Sequence, residues 1–245
     1  MDSSSTWRSP SAAGADKKVI AFSIWGANPR YTVGAIKNAA LAAQIYPGWV
    51  CRFYLACDVP EEVAAELAKF ESVEIITQSG PADWRASFWR FRPACEPDVA
   101  AMICRDTDSR LNMRERAAVD AWLDSPRSFH IMRDHPRHQV EILAGLWGVK
   151  RGRLAQMSEW IKTYVNAQDA GAIRYGIDQR FLQDVVYPIV KQDVLVHDEI
   201  FQNRPFPTPR RNYEYVGRIY EADDSTRQGV DNLLVQFLAA KNDRE

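Results

Sequence analysis

From Lys17 onward the chain alternates apolar runs with amphipathic stretches. Residues 19–25 form a short apolar run closed by Gly26-Ala27-Asn28-Pro29, which predicts a first strand and the loop at its carboxyl end. Val33, Ile36, Ala40, Leu41 and Ile45 recur at helical spacing within residues 32–46, and Pro47-Gly48 stops that helix. A strand over residues 50–57, a helix over 60–70 and a strand over 73–77 complete a βαβαβ order. Such an order implies a mainly parallel sheet with helices on both faces, with ligands beyond the carboxyl ends of the strands.

Residues 82–95 read as an amphipathic helix that turns Trp84, Phe88, Trp89 and Phe91 to the core and leaves Arg85 and Arg92 in water. The run Val99-Ala100-Ala101-Met102-Ile103-Cys104 lacks Gly and Pro and is too short for a membrane span, so it reads as a buried strand. A helix over 114–123 and a strand over 129–132 follow. Residues 133–138 form a polar loop in which Pro136 argues against a helical metal pair of His135 and His138, leaving them as loop residues for an acceptor. Residues 142–149 are an apolar segment containing Gly145 and Gly148. Helices over 154–168 and 177–186, a strand over 194–196 and a last helix over 228–240 complete the pattern. Residues 203–211 carry too many prolines for a regular element, and their arginines either cover a site or face water.

Composition narrows the classes. With 245 residues, 46% of them hydrophobic, the chain can bury one sizeable core. We expect a single domain over 17–245, with a first half to about 112 and a second half after it. Thirty-one Lys and Arg against 32 Asp and Glu give a formal charge of −1, so no global field points to nucleic acid or an anionic membrane. Cys51, Cys57, Cys95 and Cys104 form no CxxC pair and read as reduced core thiols rather than a zinc site. Residues 1–16, rich in Ser and Ala, read as a disordered tail without the apolar centre of a signal peptide. No stretch offers about 18 consecutive apolar residues for a membrane span, and the expectation is a soluble, cytoplasmic protein.

The charged end of the 99–104 strand holds the candidate chemistry. Asp106 and Asp108, two residues apart, share one side of an extended segment, and a slight bend lets both reach one hard cation. The alternative is that they turn the chain and cap the next helix.

Several short motifs recur in a fixed order: Tyr31-Thr32-Val33-Gly34-Ala35, Arg90-Phe91, Asp106-Thr107-Asp108, Ala144-Gly145-Leu146, Gly176-Ile177-Asp178-Gln179, and a strand ending in His197. Over residues 19 to about 200 this order resembles the nucleotide-sugar glycosyltransferases of the GT-A fold, most closely the glycogenin-like retaining family. The resemblance implies an α/β, Rossmann-like fold with a mainly parallel mixed sheet flanked by helices. It also implies transfer of a hexose from a nucleotide diphosphate sugar, with UDP favoured, to a hydroxyl acceptor, with retention. Asp106 and Asp108, with His197 as third ligand, would hold Mn²⁺ or Mg²⁺, which suit oxygen donors. Tyr31 would lie against the base, with Phe22, Ser23, Ile24 and Trp25 completing the nucleoside pocket by their backbone. Asp106, with Thr107 beside it, would also contact ribose. Arg90 would reach the donor sugar or a phosphate through its bidentate fork, and Asp178 and Gln179 would sit near the transferred sugar. An acceptor could be a glycan, a protein side chain or a small metabolite, and the aromatic content leaves room for a homodimer.

The chain departs from the family in two places. Leu143 stands where an Asn usually precedes Ala-Gly, and His197 is followed by Asp198 and Glu199 with no Lys-Pro-Trp. Arg204, Arg210, Arg211 or Arg218 could replace the missing lysine at the diphosphate. Two rival classes remain. One is a noncatalytic sugar- or protein-binding domain of the same fold. The other is a phosphatase of the haloacid dehalogenase type, against which stands Arg110, where Thr or Val is expected.

Overall fold

A computed structural model describes residues 16–80, 82–168 and 175–242. Apart from Asp16, the expected N-terminal tail lies outside the described residues. The elements in chain order are β1 Lys17–Ile24, α1 Pro29–Ile45, β2 Val50–Ala56, α2 Glu61–Leu67, β3 Val73–Gln78, a 3₁₀ helix Trp84–Cys95, β4 Val99–Cys104, α3 Met113–Asp124 and β5 Phe129–Arg133. They continue with β6 Trp147–Lys150, α4 Met157–Asn166, α5 Ile177–Phe181, a π turn Leu182–Val186, α6 Tyr187–Val190, β7 Val194–Asp198 and α7 Gln228–Asn242.

The strands form one seven-stranded sheet in the order β3-β2-β1-β4-β6-β5-β7. Only β6 runs antiparallel, against β4 on one side and β5 on the other. All other strands therefore end on the same edge. This is the α/β fold that the pattern and the resemblance imply, a mainly parallel mixed sheet between two layers of helices. The period-2 alternation of β1 shows why both faces must be covered. Val19 and Ala21 join a core cluster with Phe88, Phe91, Trp147 and Phe181, while Ile20, Phe22 and Ile24 join a second with Ala35, Ala39 and Trp122. Each fully buried aromatic or aliphatic side chain adds roughly 1.5–3 kcal/mol.

Three local departures from the expected elements have physical causes. The loop expected at residues 26–29 holds for 26–28, and its last residue, Pro29, already opens α1. The Asn28 side chain accepts from Arg30 N, and Pro29, whose missing N–H costs nothing in the first turn, opens the helix. The helix expected over 82–95 is wound as 3₁₀ for twelve residues, far beyond the usual few. At three residues per turn, Phe88, Phe91 and Ala94 fall on one face and pack the sheet. Ala86 and Trp89 fall on a second, against Tyr54 and Ala56. Ser87 and Arg90 share the third. Finally, residues 177–190 wind as one helix interrupted by the π turn, just before Pro188, which can neither donate to the preceding turn nor avoid its carbonyl.

The cysteines are all free, with Cys51 and Cys104 buried, Cys95 partly covered and Cys57 exposed, so the expectation of four core thiols holds for two. Among the described residues no helix is long and apolar enough to cross a membrane.

Candidate functional site

β1 and β4 are parallel neighbours at the centre of the sheet, so their carboxyl ends open onto one rim. From β1 comes the turn through Gly26, whose N–H donates to Asp58 Oδ1 at 2.8 Å, and then α1. From β4 comes the segment 105–111. This segment is moulded onto α1. A Cβ on Gly34 would overlap Thr107 O, so only glycine lets the helix approach this closely. One turn on, the fully buried Asn38 donates through Nδ2 to Thr107 O (3.2 Å) and Ser109 O (2.8 Å), and its Oδ1 accepts from Leu111 N (3.0 Å). One amide thus satisfies three backbone groups of the 105–111 segment that carries Asp106 and Asp108.

The two carboxylates have unlike surroundings. Arg90, aimed by the third face of the 3₁₀ helix and anchored where its N–H donates to Ser23 Oγ at 3.0 Å, forks between Asp106 and the start of α5. Its Nη1 meets Asp106 Oδ1, and its Nη2 donates to Asp178 Oδ2 at 2.9 Å. Gly145 passes directly against the Asp106 carboxylate, where a Cβ would collide with it. Among the described residues, Asp108 has no such cation in contact. Burial, and then the charge of Asp106, push its carboxyl from the ordinary 3.8 up to about 6. A divalent cation beside it would relieve that penalty on Asp108.

Trp25 and Tyr31 both stand at this rim, 38% and 37% exposed. Burial and the charge of Asp108 raise the Tyr31 hydroxyl. Phe22 and Ile24 point away into the core, Phe22 stacked on Phe53 at 4.8 Å, so only their backbone can reach a ligand. The Thr107 side chain is buried. Asp178 opens α5 and is tied to Asp106 through Arg90. The Gln179 amide is spent on backbone: Oε1 accepts from Ala144 N at 2.9 Å and Nε2 donates to Ile142 O. Gln179 therefore holds the loop that carries Gly145. His197 lies within hydrogen-bond distance of His130, Nδ1 to Nε2 at 2.8 Å, and burial and then Arg114 lower it to about 4. Among the described residues no three His, Cys, Asp or Glu side chains stand close enough to hold a metal ion. The structure thus brings together Arg90, Asp106 and Asp178, with Asp108 beside them, and gives His197 a histidine partner. Arg85 stays exposed on Asp83, and Arg92 on Gln78, as the pattern implies.

Sequence reasoning missed Asn38 and a strap over residues 216–227. Tyr220 N donates to Asp108 O at 2.8 Å. Arg110 donates to Ser109 O (2.9 Å) and to Asp224 Oδ1 (3.1 Å) and lies 5.1 Å from the Tyr220 ring. Arg30 pairs with Glu221, and Lys37 with Asp224 at 2.5 Å. The one available signal was Asn38 itself, four residues after Gly34 on an otherwise apolar helix face. The strap left none, because its partners lie more than a hundred residues away.

No protein-family model matches the sequence, nor does any of the curated proteins compared with it. Among solved structures, the chain is similar to a glycosyltransferase involved in the glycosylation of the major capsid of PBCV-1, at 13% identity and a TM-score of 0.49 over 90% of this chain and 99% of that one. It is also similar to 4-diphosphocytidyl-2C-methyl-D-erythritol synthase from Anaerococcus prevotii, at 11% identity and a TM-score of 0.46 over 80% and 94% of the two chains. A third is the mannosyltransferase PcManGT from Pyrobaculum calidifontis in complex with GDP-Man and Mn²⁺, at 11% identity and a TM-score of 0.46 over 80% and 62%. Identities this low say nothing about shared chemistry.

Proposed function

We propose that the protein is a metal-dependent glycosyltransferase that moves a hexose from a nucleotide diphosphate sugar, UDP-linked in the first instance, to a hydroxyl acceptor. The observation that carries this reading is the Asp106/Asp108 pair at the carboxyl end of β4, with Arg90 bridging Asp106 to Asp178 on the same rim. The donor set fits Mn²⁺ or Mg²⁺: two carboxylates without a third protein ligand suit an ion that completes its shell with water and substrate phosphates. Bound there, such an ion would act as a Lewis acid that neutralises the charge growing on a departing diphosphate.

The chain's own residues would do the rest. Asp106 and Asp108 bind, while Asn38, Gly34 and Arg110 fix the loop that carries them. Arg90 orients Asp106 and couples it to Asp178, which would face the transferred sugar. Trp25 and Tyr31 supply exposed rings for the base. Retention is what the resemblance implies.

A second reading, a binding domain without turnover, draws on Leu143. This side chain packs beside Leu146, Phe206 and Val216 instead of offering a polar group to the site. The test is calorimetric titration of UDP and of GDP with Mn²⁺ and again with EDTA. Metal-dependent binding of one nucleotide is the expected result, and its absence for both removes the transferase reading. Metal-dependent binding of a sugar nucleotide that is never consumed selects the second reading.

A further inference from the structure

The sheet has two edges and treats them differently. The outer edge of β7 is covered, because the chain folds back after Asp198. Asp198 N donates to Arg204 O at 2.6 Å, Arg204 N donates to Asp198 O at 2.7 Å, and Val196, His197 and Asp198 are buried. The outer edge of β3 lacks such a cover. Among the described residues β2 is its only neighbour in the sheet, none of its residues is buried, and Thr77 is exposed.

Register decides which backbone groups face outward. Cys51 of β2 lies opposite Val73, and its N–H donates to Ser72 O at 2.8 Å. Alternation along a parallel pair then turns Glu74 and Ile76 toward β2. It leaves the N–H and C=O groups of Ile75 and Thr77, with Val73 O, pointing away from the sheet. Val73 N is spent on Phe70 O at 3.1 Å. Such an open row is a template for another strand, and proteins that do not use it blunt it with lysine, proline, a bulge or an inward charge. Here the register runs without a shift over Val73–Gln78, and the strand holds neither Pro nor Lys. Its one charge, Glu74, is neutralised by Lys17 Nζ and Arg52 Nη2, each at 2.8 Å.

This row is complementary to itself. In an antiparallel pairing centred on Ile75, two copies exchange N–H···O bonds between Ile75 and the partner's Ile75, and Thr77 N donates to the partner's Val73 O. Only Thr77 O is left to water, because Val73 N is already taken. On the face where Val73 and Ile75 pack against the α1 side of the core, Val73 meets the partner's Thr77, so every cross-strand pair there is β-branched. On the other face Glu74 meets the partner's Ile76, and no like charges oppose each other. Each copy has one such edge, so the pairing closes at two.

We propose that the β3 edge is a self-association surface, through which a second copy of this chain extends the sheet across a two-fold axis. Six residues span only about 20 Å. That is a narrow contact beside the roughly 1,200–2,000 Å² of a stable complex, so the dimer is reversible and forms at micromolar protein. β2 and β1 separate this edge from β4, and the dimer does not rest on the transferase reading.

The test is sedimentation velocity of the full chain, without nucleotide or metal, from about 1 to 200 µM. The sedimentation coefficient should rise from monomer to dimer. Thr77→Pro removes a donor to the partner and no bond within the chain, so it should keep the parent's urea midpoint and raise the dimer dissociation constant at least about tenfold. Thr77→Val keeps that N–H and should dimerise as the parent does. Cross-linking reads the register even if the proline variant does not fold. With Cys57→Ser and Cys95→Ser as background, Ile75→Cys places two Cα atoms about 5.5 Å apart across the axis, within disulfide reach. Diamide should link that variant and leave Thr77→Cys, which faces the partner's Val73, unlinked. A monomer at every concentration overturns the proposal and leaves the edge to strands of other proteins. An unchanged dissociation constant in folded Thr77→Pro, or equal cross-linking at positions 75 and 77, overturns it as well. Nucleotide titration decides the transferase reading separately, since neither β3 variant touches the β4 rim.

Discussion

Two pairs of aspartates stand on the same edge of the sheet and do opposite things with their charge. Asp134 and Asp198, at the ends of β5 and β7, are wholly buried. Asp134 accepts from Arg114 Nε and Nη2 (2.9 and 3.0 Å), Arg210 Nη2 (2.6 Å) and Val216 N (2.9 Å). Asp198 accepts from Arg133 Nε (2.7 Å) and from the N–H groups of Ile200 and Phe201. Every carboxylate oxygen there has a partner, so the charge is consumed in joining β5, β7, α3 and the 199–216 segment. At the end of β4 the same residue type is left short: Asp106 shares one arginine with Asp178, and Asp108 faces Asp106. Position at a strand end does not make a carboxylate functional. What sets the β4 end apart is that Asp106 shares one arginine with Asp178 while Asp108, among the described residues, has no cation in contact.

The sharpest way to break the comparison is to remove a charge from each pair. Asp134→Ala leaves two buried guanidinium groups with only Glu199 to share and should cost about 3–5 kcal/mol, read from urea unfolding. Were Asp134→Ala as stable as the parent, the claim that its charge holds the fold would fail. Asp108→Asn should reverse the balance. It removes a carboxylate that resists ionising, so stability should hold or rise, while metal-dependent UDP affinity falls at least a hundredfold, about 2.7 kcal/mol. Loss of stability without loss of affinity would move Asp108 into the structural class.

A finer cut is Gly145→Ala. The added methyl meets the Asp106 carboxylate, a movable group, whereas a methyl on Gly34 would meet the Thr107 backbone, which is fixed by Asn38. Gly145→Ala should therefore turn Asp106 and weaken UDP–Mn²⁺ binding roughly tenfold with little change in stability. Gly34→Ala should cost about 1–3 kcal/mol of stability as overpacking. Equal effects of the two on stability would show that Asp106 is as rigidly held as the backbone.

These contrasts also explain what the sequence could and could not disclose. The strand order of β1 to β4, the buried β4 strand and its charged end were legible, because periodicity and short connections are local. The role of Arg90 was legible only in part. Its place beside the motif came from resemblance, but its division between Asp106 and Asp178 depends on a 3₁₀ period that a pattern of 3.6 misreads. Asp134 and Asp198 looked no different from Asp106, since the arginines that neutralise them come from residues 114, 133 and 210. The His130–His197 contact joins two strands through a parallel pairing that no local pattern announces.

The smallest expected effect concerns the saturated pair and its dependence on pH. Asp134 N donates to His138 Nδ1 at 3.1 Å, which requires that nitrogen to be unprotonated. Burial, followed by the charges of His135, Arg210 and Arg133, lowers His138 from the ordinary 6.5 to about 3. Between those values the unfolded chain binds the proton and the folded chain does not, so stability rises with pH and is lost on acidification from about 6.5 toward 3. The β4 pair contributes the opposite slope. Asp108, raised from 3.8 to about 6, makes the folded chain the better proton binder in that window, and its share of stability falls as pH rises. Urea midpoints between pH 5 and 7 should therefore climb less steeply with pH in His138→Gln than in the parent, and more steeply in Asp108→Asn. Parallel profiles for all three proteins would mean that neither group titrates with folding, and the distinction between a neutralised and an unneutralised rim would lose its electrostatic basis.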